Sequence, residues 1–421
     1  MAACETHRTI EAVWRIESAR IIAGVARIVR DVGLAEELAQ DALVAALEQW
    51  PESGVPEKPG AWLASVARNR AIDHIRRRPL LDRTHSEIGR DLDERQQGAV
   101  DRLDAAIDDD IGDDLLRLVF TACHPVLGPD ARVALTLRLL GGLTTDEIAR
   151  AYLVSETTVA QRIVRAKRTL SDAHVPFEVP RGAERDERLA SVLEVLYLIF
   201  NEGYAATAGG DWMRPALCEE ALRLGRILAE LAPEEAEVHG LVGLMEIQAS
   251  RTRARTNDSG DAVLLNDQDR SRWDQLLIRR GLAALERAAA LGGEPGPFAL
   301  QAAIAACHAR AVAPGATDWS RIANLYAQLA SLQPSPVIEL NRAVAIGMAE
   351  GPAAGLEAAD ALVNEPRLDG YHLLPAVRGE FLEKLGRLDE ARLAFERAAA
   401  LTRNAREREV LELRAAACAG G

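Results

Sequence analysis

Two helix-start signals stand eleven residues apart in LTTDEIARAYLVSETTVAQRIVRAKRTL, residues 143–170, and no other stretch limits the fold so narrowly. Thr144 and Glu147 have capping-box spacing, so a helix begins there with Ile148, Ala149 and Tyr152 turned inward. Leu153-Val154-Ser155 reads as a turn, and Ser155 suits the cap of a second helix. In that helix Val159, Ile163, Ala166 and Leu170 share the inner face. Thr157, Thr158, Gln161, Arg165 and Arg168 point outward, with Arg162 and Lys167 on their flanks. Two helices joined by a short turn, the second polar and basic on its free side, describe a helix-turn-helix. Thr and Gln read base edges, while arginine grips phosphate or guanine. A generic helical hairpin shares the apolar spacing, but few carry four basic groups within 162–168.

The rest of the chain is also written for helices. Aromatics are 4% of the residues and alanine and leucine dominate, whereas strands favour β-branched and aromatic side chains. At 421 residues the chain exceeds one compact core and implies two or three domains. Its net charge of −14 excludes a uniformly basic nucleic-acid coat but not local basic faces. Residues 1–78 are neutral, with 11 basic and 11 acidic groups, and residues 79–114 carry 4 against 12. Residues 115–172 carry 8 against 5, and residues 173–421 carry 27 against 36. The acidic stretch reads as a tether between two modules with basic patches, and a long acidic helical body follows.

In the first module, residues 34–50 have helical period. Leu38, Ala42 and Ala45 line one part of the apolar side, and Leu43, Leu47 and Trp50 another. The opposite stripe holds Glu37, Gln40, Asp41, Val44 and Glu48. Such a stripe is usually a wet face, but the span 31–57 has seven acidic groups and no basic one, which also suits a basic protein partner. A loop with Pro51, Pro56 and Pro59 precedes a second helix at 59–78, with five arginines against Asp73. Ser65, Arg68, Asn69, Ile72 and Arg76 fall on its exposed stripe, and Trp62, Leu63, Val66 and Ala67 suit a core. Arginines with an asparagine can neutralise phosphates and bond an unstacked base.

These two modules in this order resemble a bacterial sigma factor of the sigma-70 class in its compact extracytoplasmic-function form, over residues of roughly 10–172. AEELAQDALVAAL resembles the helix that docks on the polymerase clamp. AWLASVARNRAIDHIRR resembles the helix that binds and opens the −10 element, and LTTDEIARAYLVSETTVAQRIVRAK the region that reads the −35 element. The resemblance implies core RNA polymerase and promoter DNA as partners. It assigns Gln40 and Asp41 to polymerase, with Glu37, Val44 and Glu48 on the same stripe. It assigns Asn69, Asp73 and Arg76 to the melting strand, flanked by Arg68 and Arg77, and Thr157, Thr158, Gln161, Arg162, Arg165 and Arg168 to the −35 element. The loop 51–60 falls where the family captures a flipped base. The implied domains are 10–78, an acidic linker at 79–111, and 112–172.

From about 185 onward the chain adds what the minimal family lacks. The hexapeptide ERAAAL occurs at 286–291 and again at 396–401. LGRLDEARLAFERAAAL resembles the second half of a tetratricopeptide repeat, with Gly379, Leu382, Ala391, Phe395 and Ala398 at the consensus spacing. IANLYAQLASLQP resembles another, with Tyr326 in the Phe395 position and Pro334 closing it. Residues 185–421 therefore read as a tetratricopeptide-like α-solenoid, with 255–271 an insertion that can form a small hairpin. Its acidity favours a protein or peptide partner over DNA.

The expected fold class is all-α: two small helical sigma domains followed by that solenoid. No nucleophile–base constellation, phosphate loop or zinc signature is present, so neither an enzyme nor a cofactor or metal site is expected. Cys4, Cys123, Cys218, Cys307 and Cys418 form no metal-knuckle spacing, and Cys123-His124 and Cys307-His308 are adjacent pairs that chelate poorly from a helix. With no signal peptide and no apolar run of membrane-spanning length, the expectation is a cytoplasmic protein. The rival reading is a helix-turn-helix activator whose solenoid senses a ligand or protein, and the residues at 31–78 argue against it.

Overall fold

In a computed structural model, the described residues are 2–82, 111–152, 154–204, 213–257, 263, 265–402 and 405–419. Among them every regular element is helical, apart from an isolated bridge at Thr256. The chain divides into two compact units, Met1–Leu196 and Tyr197–Gly421.

The first unit begins with α1 (Ala2–Val29), α2 (Val32–Ser53) and α3 (Pro59–Asp82), which pack on one another. Ile22, Ala26, Ala39, Ala46, Trp50, Leu63 and Ala67 are nearly solvent-free and form this core. Four further helices follow: α4 (Ile111–Ala122), α5 (Pro129–Leu139), α6 (Thr145–Tyr152) and α7 (Glu156–Asp172). α4 packs on α1, α5 and α6 pack on α7, and α7 also reaches α2. The boundary between the units falls inside the next helix, α8 (Ala183–Tyr204), rather than ahead of residue 185. The first half of α8 is tied into the first unit. Arg188 donates to Phe120 O (3.2 Å) and Ser191 Oγ to Cys123 O (2.6 Å). Buried Arg132 bonds Ser191 and pairs with Glu194 at 3.0 Å.

In the second unit, α9 (Pro215–Leu231), α10 (Ala236–Ala249), α11 (Gln275–Ala290) and α12 (Pro297–Arg310) precede α13 (Trp319–Leu332) and α14 (Pro336–Glu350). Then come α15 (Pro352–Asp360), α16 (Leu373–Lys384), α17 (Leu388–Leu401) and α18 (Ala405–Ala419). Most of these helices pack on the next in sequence. The tetratricopeptide-like spacing has a physical cause here. A Cβ at Gly379 would meet the Phe395 ring at 2.7 Å, so only glycine lets α17 lay that ring on α16. Leu382, Ala391, Phe395 and Ala398 then share one core. Tyr326, the expected counterpart of Phe395, is only half-buried, and packs beside Ile304 and Ile322.

Element ends differ from the sequence reading in two places. The loop expected at 51–60 begins only at Gly54, whose φ of 85° ends α2, so Pro51 lies inside the helix. α3 runs past Arg78 and Pro79 to Asp82. The expected insertion at 255–271 is closed by a Val263 N to Arg255 O bond of 2.8 Å, then continues as short 3₁₀ turns. The acidic linker expected at 79–111 lies almost entirely outside the described residues.

Candidate polymerase and promoter interface

The helix-turn-helix is built from caps. Thr144 N donates to Glu147 Oε2 (2.8 Å) and Glu147 N to Thr144 Oγ1 (3.1 Å), a reciprocal capping box that starts α6. Thr158 N donates to Ser155 Oγ (3.1 Å) and starts α7. Val159, Ile163, Ala166 and Leu170 are the buried residues of α7. Tyr152, expected inside, is half-buried. On the other side Thr157, Gln161, Arg165 and Arg168 are exposed, Arg168 with 81% of its side chain accessible. Thr158 is half-buried against the Ser155 hydroxyl (2.7 Å). Arg162 pairs with Asp130 at 3.0 Å, so its charge is partly neutralised.

On α2, the stripe expected to face a protein is open. Glu37, Asp41, Val44 and Glu48 are exposed, and Gln40 is half-buried, bonded to Glu36 at 2.6 Å. The stripe also touches α3: Arg70 pairs with Asp41 at 3.4 Å. Along α3, Asn69, Asp73 and Arg76 are exposed and Arg68 is half-buried, while the side chain of Arg77 lies outside the described residues. Leu63 and Ala67 are buried as expected, but Trp62 and Val66 are only half-buried. The Trp62 ring stands edge-on to Trp50 at 5.4 Å, which holds it in the helix packing. Beside the α2–α3 loop lies an open cleft of about 260 Å³, lined by Val13, Ile16, Glu17, Lys58 and Gly60.

The residue that sequence reasoning missed is Glu36. It was one acid among seven, but in the structure it is buried where the first module meets the helix-turn-helix. Arg138 of α5 donates to it at 2.7 Å, and Lys167 of α7 forms a close ion pair with it. Asp31, the cap of α2, accepts from Ser171 Oγ at 3.4 Å across the same junction. A carboxylate on the apolar side of α2, one turn after Val32, was the available signal. Cys123 is equally buried, and burial pushes its thiol up to about 11, which makes it an inert core residue.

Residues 16–79 match the family described as sigma-70 region 2, and residues 117–170 match sigma-70, region 4. Residues 188–289 match a family of unknown function, DUF6596. An uncharacterized protein of Rhizobium meliloti is 47% identical over 382 residues, 90% of this chain and 89% of its own length. The probable ECF RNA polymerase sigma factor SigI of Mycobacterium tuberculosis is 28% identical over 181 residues, 42% of this chain and 60% of its own. The ECF RNA polymerase sigma factor SigK of Mycobacterium ulcerans is 30% identical over 155 residues, 36% of this chain and 78% of its own. The open stripes of α2 and α3 thus fall inside region 2 and the capped helix-turn-helix inside region 4, and the chain belongs to the family of ECF RNA polymerase sigma factors.

Proposed function

We propose that this sigma factor docks core RNA polymerase through Glu37, Gln40, Asp41, Val44 and Glu48, engages the melting −10 strand with α3, and reads the −35 element with α7. One observation carries the reading: α7 buries Val159, Ile163, Ala166 and Leu170 while Thr157, Gln161, Arg165 and Arg168 share its exposed side. The work is done by binding energy rather than covalent chemistry. Unstacking a base costs a few kcal/mol, offset by phosphate contacts and by a pocket for the base. The cleft beside Lys58 and Gly60 offers such a pocket.

Promoter binding also demands an opening. The −10 and −35 elements are about 25 base pairs apart, or about 85 Å at 3.4 Å per pair. The helices assigned to them belong to modules that touch through Glu36, Arg138 and Lys167. Asp82 and Ile111 are joined by 28 residues, which extend to at most about 95 Å. The connection is long enough, provided the Glu36 junction separates.

The helical extension is assigned a positive role: it recruits a protein partner or polymerase and is needed for full output. The basis is its length and its repeat-like packing, which makes a surface rather than a simple plug. Run-off transcription with purified core polymerase tests the whole reading. Gln161→Ala and Arg165→Ala should each weaken −35 recognition by about 1–3 kcal/mol, a factor of about 5 to 150. Unaltered discrimination between cognate and scrambled −35 elements in both variants would remove α7 as the reader.

A further inference from the structure

The second unit contains a cluster of cations that no described acid neutralises. Arg251, at the end of α10, is only 7% exposed. Its guanidinium lies 5.8 Å from the Tyr204 ring centre and 5.9 Å from that of Trp273. Arg255 stacks on the same Tyr204 ring at 3.7 Å, and Arg270 lies over Trp273 at 4.9 Å. His308, also 7% exposed, stands edge-on to Trp319 at 5.0 Å, and its Nδ1 has no hydrogen-bond partner.

The arginines around this cluster show what a satisfied guanidinium looks like. Arg226 pairs with Glu246 at 2.8 Å and Arg223 with Glu220 at 2.6 Å. Arg270 donates to the carbonyls of His308 (2.6 Å) and Ala311 (2.5 Å) and to Thr317 Oγ1 (3.3 Å). Arg251 Nε is buried without an acceptor, as is that of Arg270, but Arg251 lacks the carbonyl acceptors that Arg270 has, and among the described residues neither it nor Arg255 meets a carboxylate. A guanidinium cannot shed its charge, so an Nε–H buried without an acceptor leaves a demand that two ring faces only partly meet. Burial, reinforced by Arg251 and Arg270, pushes the His308 pKa down to about 4. The ring is neutral at physiological pH and free to bond a ligand oxygen.

We propose that Arg251 and Arg255, with His308 beside them and Tyr204 and Trp273 as walls, bind a small molecule bearing a carboxylate or phosphate group. Planar acceptors of that class take two parallel bonds from a guanidinium fork. Arg255 and Tyr204 are half-buried, the solvent-reached rim of the cluster, and Arg251 is buried. A long polyanion does not fit, because residues 173–421 carry 27 basic against 36 acidic groups. The extension is then a sensor of a small anion as well as a protein-binding surface, whichever direction its effect on transcription takes.

The test uses the full chain at constant ionic strength, titrated with inorganic phosphate or acetate against sodium chloride, read by thermal denaturation and calorimetry. A ligand that binds only the folded state raises Tm with saturation. The expected result is a saturable rise with one of the two anions, phosphate or carboxylate, and that anion identifies the ligand class. The rise is lost in Arg251→Met and shifted about tenfold or more to higher concentration in Arg255→Gln. Arg226→Gln, whose partner is Glu246, leaves it unchanged. Should Arg251→Met not fold, the rim variant Arg255→Gln decides. A response to neither anion beyond that of chloride, or an equal response in wild type and Arg255→Gln, overturns the site.

Discussion

Two side chains carry most of what is unusual at the residue scale. Glu36 is a buried acid held by two cations that are each about one-fifth exposed. Removing one partner of a buried pair leaves the others desolvated and unpaired, so Glu36→Ala should cost roughly 2–3 kcal/mol in urea denaturation. The same variant should separate the two sigma modules in the free protein, read as a longer distance between fluorophores placed on α3 and α7. A variant with wild-type stability and distance would show that the junction is not held by this residue. His308 gives a pH signature. Its folded pKa of about 4 lies below the ordinary 6.5, so between those values the unfolded chain binds more protons. Its contribution is fully present above pH 6.5 and is lost as pH falls towards 4, about 3 kcal/mol in all. Subtracting the pH profile of His308→Gln from that of the wild type should isolate this slope.

At the scale of the element, α2 and α7 each divide their circumference between two tasks. α7 packs one side and leaves the other exposed, while Lys167 pairs with Glu36. α2 buries Ala35, Ala39, Ala42 and Ala46 and leaves Glu37, Asp41 and Glu48 exposed. Because Asp41 pairs with Arg70 of α3, reversing its charge would disturb α3 as well as polymerase docking. Glu37→Lys with Glu48→Lys is the cleaner probe. The double variant should keep wild-type helicity and lose core polymerase affinity, with the wild-type affinity itself falling as salt rises. Equal affinities for wild type and variant would leave the stripe as a solvated face.

For the whole molecule, the decisive fact is that the DUF6596 match begins within α8, whose first half is part of the first compact unit. A chain ended at Arg181 keeps the helix-turn-helix intact but takes Ser191 and Glu194 away from buried Arg132. It should lose at least about 2 kcal/mol of stability. A chain ended after Leu196 keeps those contacts and isolates the effect of the extension. In run-off transcription the Leu196 truncation should bind core polymerase normally and give reduced output. Increased output would instead identify the extension as an inhibitor, against the role assigned to it. No described helix is long and apolar enough to cross a membrane.

Local rules were enough for what a single helix decides. Helix starts at Thr144 and Ser155 follow from side chains that reach only three residues. The inner face of α7 follows from a 3.6-residue period, and the place of Gly379 opposite Phe395 from a repeat spacing. The sequence alone therefore determined the helical class, the helix-turn-helix and the sigma-like order of the modules. Partnership across the chain was not legible in it. Glu36 meets Arg138 from 102 positions away, and Ser191 meets Cys123 from 68. That Arg251 lies buried between two rings, with no carboxylate beside it among the described residues, follows from nothing near it in the chain. Whether a charge is solvated, paired or stranded depends on which distant surfaces close over it. Only the tertiary structure decides that, since the cost of burying a charge is set by the whole environment and not by its neighbours in sequence.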